Sequence, residues 1–520
     1  MTPRALVVLV ALSCVAFSST HPSTAHADGD LRKVNHLVFM MQENRSFDNY
    51  FGALPYVPGG PYHPCVGKKK RTDHLCVDGL TCEVDSGGNL ACSNYNLNLE
   101  GDKIFAFHDR RICAGSGLDH GWPESHREAN WANPGNTYFS SPNDGFVRQN
   151  ESDNPNQNVD YDTIGFFTQD ELPFYYALAQ TFAIDDRYHA SVIGPTLPNR
   201  LYYMAATSFG HTTTGEAIPP IPAGYRPITG TLLDLMDNEH VSWMNYYSDL
   251  PSSAYLRPFF SEHLAPISQF TTDLAAGHLA DVTYIDADFG ILHPSQESDE
   301  APPNNIRRGQ YFVAQNVAAI RNSAFWNDTI IIITYDEHGG CYDHVAPPPV
   351  RQHRKRTPDG IAPGQCADLS NPPASEERGA GANCSESMDN ALSTCPAFTP
   401  TGPYPSSCPN FNQYGFRVPF IVVSPFAKQH YVSHTLGDHT SLVALVEKRF
   451  MNHGGGGQQY PSLTLRDANA NTLEDLFDFD QAPSLNATIP PAPPSSPADE
   501  GCAGSPSGAF VSPLDRRVAP

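Results

Sequence analysis

Four short apolar runs stand out along the chain: His36–Met41 (HLVFMM), Val282–Ile285 (VTYI), Thr329–Thr334 (TIIIIT) and Val418–Val423 (VPFIVV). Runs of this length, apolar at successive positions, predict strands buried on both faces, as in a parallel sheet. Between them lie patterns of helical spacing over Glu171–Phe182, Ile228–Asn238, Gly309–Arg321 and Thr440–Met451. Such alternation predicts an α/β fold around a largely parallel sheet. No internal repeat is visible. Beyond about residue 480 the chain turns to Pro, Ser and Ala (APSLNATIPPAPPSSPADEG), which cannot bury enough apolar surface to order itself. Gln481–Pro520 is therefore expected to be a disordered tail, and residues 28–480 a single catalytic unit.

The first 27 residues have the form of an export signal. Arg4 precedes the apolar run Ala5–Phe17, and Ala25-His26-Ala27 matches an A-x-A cleavage pattern, which puts the mature start near Asp28. That run is too short for a membrane span, which takes about 20 residues. No later stretch reaches that length, so no transmembrane segment is expected. The expected location is secreted, extracellular or periplasmic.

Cysteine usage agrees with export. Of twelve cysteines, Cys14 leaves with the signal, so an odd number remains and at least one thiol lacks an intramolecular partner. Two clusters, Cys65–Cys113 and Cys366–Cys408, sit in Gly-, Asn-, Ser- and Pro-rich stretches. They predict disulfide-rich insertions over about 60–115 and 351–412. A zinc site is the competing reading, but no C-x-x-C pair occurs. The chain holds 32 Lys and Arg against 56 Asp and Glu, a net charge of −24. That balance disfavours nucleic acid or an anionic membrane surface as an electrostatic partner. The short basic cluster Lys68-Lys69-Lys70-Arg71 is expected to be a solvated loop tip.

The chemistry lies after the strands. HLVFMM runs into Gln42-Glu43-Asn44-Arg45-Ser46, and TIIIIT into Tyr335-Asp336-Glu337-His338-Gly339-Gly340. In open α/β sheets ligands bind outside the carboxyl ends of the strands. Two strands thus deliver Glu43, Asn44, Asp336 and Glu337 to one edge, where a divalent cation is the ordinary means of holding repelling acids together. The alternative is that each acid merely caps a helix or turn. Thr196, in Ile193-Gly194-Pro195-Thr196-Leu197-Pro198-Asn199-Arg200, stands just ahead of a helical pattern (Leu201–Ala206). A hydroxyl there is placed to attack phosphorus, although on this segment alone an N-cap is the more ordinary explanation.

Several motifs together resemble a known family. Gln42–Gly52 (QENRSFDNYFG), Gly194–Arg200 (GPTLPNR), Tyr335–Pro348 (YDEHGGCYDHVAPP), Gly415–Phe426 (GFRVPFIVVSPF), Asp438–Ser441 (DHTS) and Leu465–Phe479 are similar to the bacterial phospholipase C and acid phosphatase phosphoesterase family. The family is part of the alkaline-phosphatase-like superfamily. The matches follow in order from about His36 to Phe479.

The resemblance implies a three-layer α/β/α sandwich and one divalent metal ion (Mg, Ca, Mn or Zn). Glu43 and Asn44 match a first ligand pair, Asp336 and Glu337 a second, and Thr196 a nucleophile that also faces the metal. His126, in the stretch Asp119-His120-Gly121-Trp122, resembles a phosphate-side catalytic histidine, and His293 a second catalytic histidine near the leaving group. His120, Asn199 and His344 are weaker candidates on the substrate side. His439 is better explained as the start of a helix capped by Asp438 or Thr440. His338 and Cys341 depart from the pattern expected around the glycine pair.

The implied activity is a secreted phospholipase C that cuts a phospholipid to diacylglycerol and a phosphorylated head group through a phospho-threonine. An acid phosphatase acting on phosphomonoesters is the alternative. The partner is a phospholipid or small phosphoester, with transient membrane-lipid contact. A binding protein on an inactive scaffold would be expected to lack some of Glu43, Asn44, Thr196, Asp336 and Glu337, and all five are present.

Overall fold

The computed structural model describes residues 29–491, apart from 68–71, 115–116, 131–142, 154–160, 216–229, 257–261, 351–360, 367–383, 400–402 and 453–459. The expected signal, the basic cluster at 68–71 and the chain beyond 491 lie outside the described residues.

Strand β1 (His36–Gln42) buries Leu37, Val38, Phe39, Met40 and Met41 in succession, so both its faces are covered. Seven strands join it in one sheet: β2 (Ala183–Asp185), β3 (Trp243–Tyr247), β4 (Leu264–Pro266), β5 (Val282–Asp286), β6 (Thr329–Tyr335), β7 (Phe420–Val423) and β8 (Tyr431–Ser433). Their spatial order is β4-β3-β5-β1-β6-β7-β2-β8. Every pairing is parallel except the two made by β7.

The α-helices are α1 (Phe47–Phe51), α2 (Trp122–Glu128), α3 (Phe146–Asp153), α4 (Pro173–Thr181), α5 (Thr196–Ala205), α6 (Leu232–Asn238), α7 (Ile267–Ala275), α8 (Ile306–Arg321), α9 (Ser385–Thr394), α10 (His439–Phe450) and α11 (Leu465–Ala468). Phe39 meets Tyr203 of α5 edge-on, with centroids 6.0 Å apart, and α5 packs with α6 and α10. The opposite face carries α4, α7 and α8. There Gln42 of β1, Tyr335 of β6 and Tyr175 of α4 all donate to the buried carboxylate of Glu300. Strand alternation puts Gln42 and Phe39 on opposite faces. The architecture is the expected three-layer α/β/α sandwich.

Boundaries follow local chemistry. Pro419 has no N–H to give a ladder, and β7 starts one residue later, at Phe420. Helix α8 begins at Ile306, three residues before the expected start, because Asn305 caps it by accepting from Arg307 N. Asp438 caps α10 in a reciprocal pair with Ser441. Four strands of the sheet escaped the apolar pattern. β2, β4 and β8 have three residues each, and β3 (WMNYY) buries the polar Asn245, which donates to Asp286 at 2.8 Å.

Both cysteine clusters are cross-linked. Cys65–Cys76 and Cys82–Cys92 close the first insertion, and Cys366–Cys384 and Cys395–Cys408 the second. Cys341 is free and buried. The first residues of the expected tail are held against the core. Trp326 Nε1 donates to the Leu485 carbonyl at 3.1 Å, Ser484 N to that of Pro425 at 2.7 Å, and Ala487 and Ile489 pack on the core. Among the described residues no helix is long and apolar enough to cross a membrane.

Candidate active site

The carboxyl ends of β1 and β6 lie side by side, because Gln42 pairs with Tyr335 in register. Glu43-Asn44 and Asp336-Glu337 therefore emerge together. Asn44 takes a left-handed backbone (φ 64°), which asparagine tolerates better than most residues, and its N–H donates to Asp336 Oδ1 at 3.0 Å. Glu337 N donates to the same oxygen at 2.7 Å. Gly339 (φ 61°) then passes so close that a Cβ there would lie 2.2 Å from the Asn44 carbonyl oxygen. Only glycine fits that crossing.

Thr196 is the first residue of α5, not its cap. Pro195 holds the N-cap position and offers no side-chain cap, while Thr214 Oγ1 accepts from Leu197 N at 3.2 Å. The Thr196 hydroxyl instead donates to Asn44 Oδ1 at 3.5 Å. Asn44 Nδ2 lies 3.5 Å from His120 Nε2, and His120 Nδ1 is 3.0 Å from the Leu118 carbonyl. With Nδ1 as the donor, Nε2 keeps its lone pair toward the cluster. Arg200 stands one turn below Thr196 on the same helix face. Its Nη2 donates to Glu43 Oε1 at 3.2 Å and its Nε to Asp336 Oδ2 at 3.3 Å.

The cluster is short of positive charge. Burial, then repulsion from Asp336, holds Glu43 well above its usual pKa despite Arg200. Burial also pushes Asp336 up to about 6, against Arg200 and with Glu337 adding to the rise. Glu337 behaves oppositely. Burial would raise it, but His120 and His338 hold it below its ordinary value. His338 lies between Glu128 Oε2 (2.8 Å) and Glu337 Oε2 (3.1 Å). Burial opposes its charge, yet the two carboxylates prevail and its pKa rises to about 9. Glu337 Oε1 remains buried without a hydrogen-bond partner, with His120 Nε2 3.8 Å away. An orphaned carboxylate oxygen among three acids fits a hard cation.

The fold thus gathers Glu43, Asn44, Thr196, Asp336, Glu337 and His120. Four other candidates make different contacts. His126 Nδ1 is 2.6 Å from the Trp122 carbonyl one turn back, and burial pushes its pKa down to about 4. Asn199 is fully buried and clasps the loop before α5. Its Oδ1 accepts from Ser191 N and Val192 N, and its Nδ2 donates to the Gly194 and Pro195 carbonyls. His293 sits on the exposed loop after β5, with Nδ1 3.1 Å from Asp288 Oδ2. His344 belongs to a second acid cluster, with Nδ1 2.6 Å from Asp48 Oδ2.

Ligand atoms of Asp48, Asp343 and His344 lie within 4.8 Å of one another, as a metal group requires. Arg417 already fills that place, donating to both aspartates. A second candidate group, Cys65, Cys76 and His434, is compromised because its two sulfurs are bonded to each other. Sequence reasoning missed Arg200 and the Glu128–His338–Glu337 chain. The four-residue step from Thr196 was the available signal for Arg200; nothing local announced Glu128.

The family model described as the phosphoesterase family matches residues 34–451. The chain belongs to that family. This phosphoesterase is a hydrolase acting on phosphoester bonds. It is 27% identical to phospholipase C B of Mycobacterium tuberculosis over 485 residues, 88% of this chain and 80% of that protein. It is 29% identical to non-specific phospholipase C6 of Arabidopsis thaliana over 344 residues, 63% of this chain and 56% of that one. Among solved structures, an alkaline phosphatase superfamily protein from Vibrio parahaemolyticus aligns at TM-score 0.28 and 8% identity, over 53% of this chain and 59% of its own.

Proposed function

We propose that this phosphoesterase is a secreted, metal-dependent phospholipase C that releases diacylglycerol through a phospho-threonine. The observation that carries the reading is the Thr196 hydroxyl, unused as a helix cap and turned to Asn44 where β1 and β6 end. The phospholipase C relatives support the substrate class. Disulfides in both insertions and the A-x-A pattern at Ala25–Ala27 support export.

Glu43, Asn44, Thr196, Asp336 and Glu337 would hold the ion. A bound divalent cation supplies neutralisation of the phosphate and a lower pKa for a hydroxyl beside it. Thr196 gives its hydroxyl proton to solvent, and Oγ1 attacks phosphorus, forming an O–P bond as the bond to the glycerol oxygen breaks. The amides of the first turn of α5 attract the phosphate. His293, anchored through Nδ1 to Asp288, offers Nε2 to protonate the leaving alkoxide. Water then cleaves the phospho-threonine. His120 Nε2 and His126 remain the candidates for the phosphate side. Arg200 bridges Glu43 and Asp336, and Asn199 sets the loop that presents Thr196.

The test is substrate profiling with metal control. The pure protein, stripped by a chelator, should lose turnover of phosphatidylcholine and regain it with a divalent metal. Turnover of an aryl phosphomonoester with no lipid cleavage would establish the phosphatase alternative. Full activity in verified metal-free protein would overturn the metal assignment. A quench-trapped phosphoryl group on the Gly194–Arg200 peptide would identify the intermediate.

A further inference from the structure

The loop leaving β5 ends in two bare aliphatic side chains. Ile291 and Leu292 are 56% and 60% exposed. They open a stretch, Ile291–Gln296, that is exposed throughout and contains no Asp, Glu, Lys or Arg. A slack loop would turn such residues back onto the protein, because burying aliphatic surface is favourable. Here the backbone is tied down. Asp249 accepts from Ile291 N at 2.7 Å and from Leu292 N at 3.1 Å. Asp288 accepts from Gly290 N at 2.9 Å, and Arg308 Nη1 donates to the Ser295 carbonyl at 2.6 Å. These bonds brace the loop with its apolar side chains pointing outward.

The loop also starts at the reaction site. Phe289, two residues before Ile291, lies 5.0 Å from the guanidinium of Arg200, which bridges Glu43 and Asp336. The apolar tip therefore rises from the wall of the site.

We infer that Ile291 and Leu292 dock the enzyme on a zwitterionic lipid surface, entering the boundary between head groups and acyl chains beside the site. The inference rests on the phospholipase reading above. Charge selects the occupant. A chain of net charge −24 is repelled by an anionic bilayer, whereas a tip without acidic or strongly basic residues meets no such barrier at a zwitterionic one. Two aliphatic side chains give weak, reversible attachment, which suits an enzyme that must move to the next lipid.

The test is co-sedimentation of the full-length protein with vesicles of ether-linked phosphatidylcholine, alongside turnover of a water-soluble aryl phosphodiester. The I291S/L292S double variant should partition to vesicles about tenfold less or weaker, with soluble turnover unchanged. The control is Leu465→Ser. Leu465 is 62% exposed next to Thr464, which bonds the Ala206 carbonyl at the end of α5 remote from Thr196. That variant should partition like wild type. Unchanged partitioning of the double variant overturns the inference, whatever its turnover. Leu292→Trp gives a second readout in a tip that stays apolar. Its difference emission should shift to the blue with vesicles, and indifference to them also overturns the inference. A wild type that binds vesicles but cleaves only aryl monoesters would remove the phospholipase reading and leave the docking surface. One that cleaves phosphatidylcholine, with a double variant that partitions equally, would do the reverse.

Discussion

Asp48 and Asp343, and likewise Glu43, Asp336 and Glu337, are acids gathered after β1 and β6, yet their counter-charges differ. Around Asp48 and Asp343 the account is closed. Arg417, fully buried, gives Nε and Nη2 to Asp343 at 2.9 and 3.0 Å, Nη2 to Asp48 at 2.9 Å, and Nη1 to the Asp78 and Asp186 carbonyls. His344 adds a second positive charge. Burial opposes it, but Asp48 pushes its pKa up to about 9. Around Glu43, Asp336 and Glu337 there is Arg200, a His338 shared with Glu128, and one carboxylate oxygen without a partner. A balanced buried cluster joins the segments that cross it. An acid-rich one is costly unless a further positive charge arrives. The first looks like scaffolding, and the second is the place proposed for chemistry.

The largest separation should come from Thr196→Ala. Turnover per folded molecule should fall about 1,000-fold or more, as removal of a covalent nucleophile does. Melting should barely move, since Thr196 caps nothing, and Thr196→Ser should keep substantial activity. Near wild-type turnover in well-folded Thr196→Ala would refute the mechanism. Next is Arg417→Met, which leaves Asp48 and Asp343 buried against each other. It should cost about 3–5 kcal/mol of stability, read from urea unfolding. A loss below about 1 kcal/mol would remove the contrast between the clusters.

A smaller effect tests His344 by pH. Its folded pKa, about 9, lies above the ordinary value of 6.5. The stability it contributes is therefore full below pH 6.5 and is lost as pH rises through 9, on the order of 3 kcal/mol in all. His344→Gln should flatten the fall in unfolding free energy between those limits. The smallest shift has the opposite sign. Because burial and Asp336 raise the pKa of Glu43, its ionised form opposes folding at neutral pH. In chelated protein Glu43→Gln should raise stability by about 1 kcal/mol while lowering turnover. A destabilised variant would mean that Glu43 is as well balanced as Asp48.

What was legible in advance follows from range in the chain. β1, β5 and β6 were visible because full burial leaves an unbroken apolar run, and Glu43 and Asp336 were found by reading past their ends. β3 was not, since Asn245 and its tyrosines answer to Asp286 and the flanking helices rather than to a two-residue period. The start of α5 was misjudged because Pro195 and Pro198 mask the helical pattern that begins at Thr196. His338 stood out only as a departure from the family's pattern. Its reason is Glu128, 210 residues away in the chain and reached only through the fold. Asn199 and His344 were singled out for chemistry because they lie within motifs that resemble the family's. Their partners are loop backbone and Asp48, which no local motif displays.

The four described cross-links each close a segment of ten to eighteen residues within one insertion, and none ties an insertion to the central sheet. Each of these four bridges thus fixes the local shape of a loop rather than its seat on the sheet. In the first insertion that seat is noncovalent, since the His74 carbonyl accepts from Val432 N of β8 and Val77 packs in the central core. Reducing these four bridges should therefore loosen the insertions before it disturbs β1 and β6.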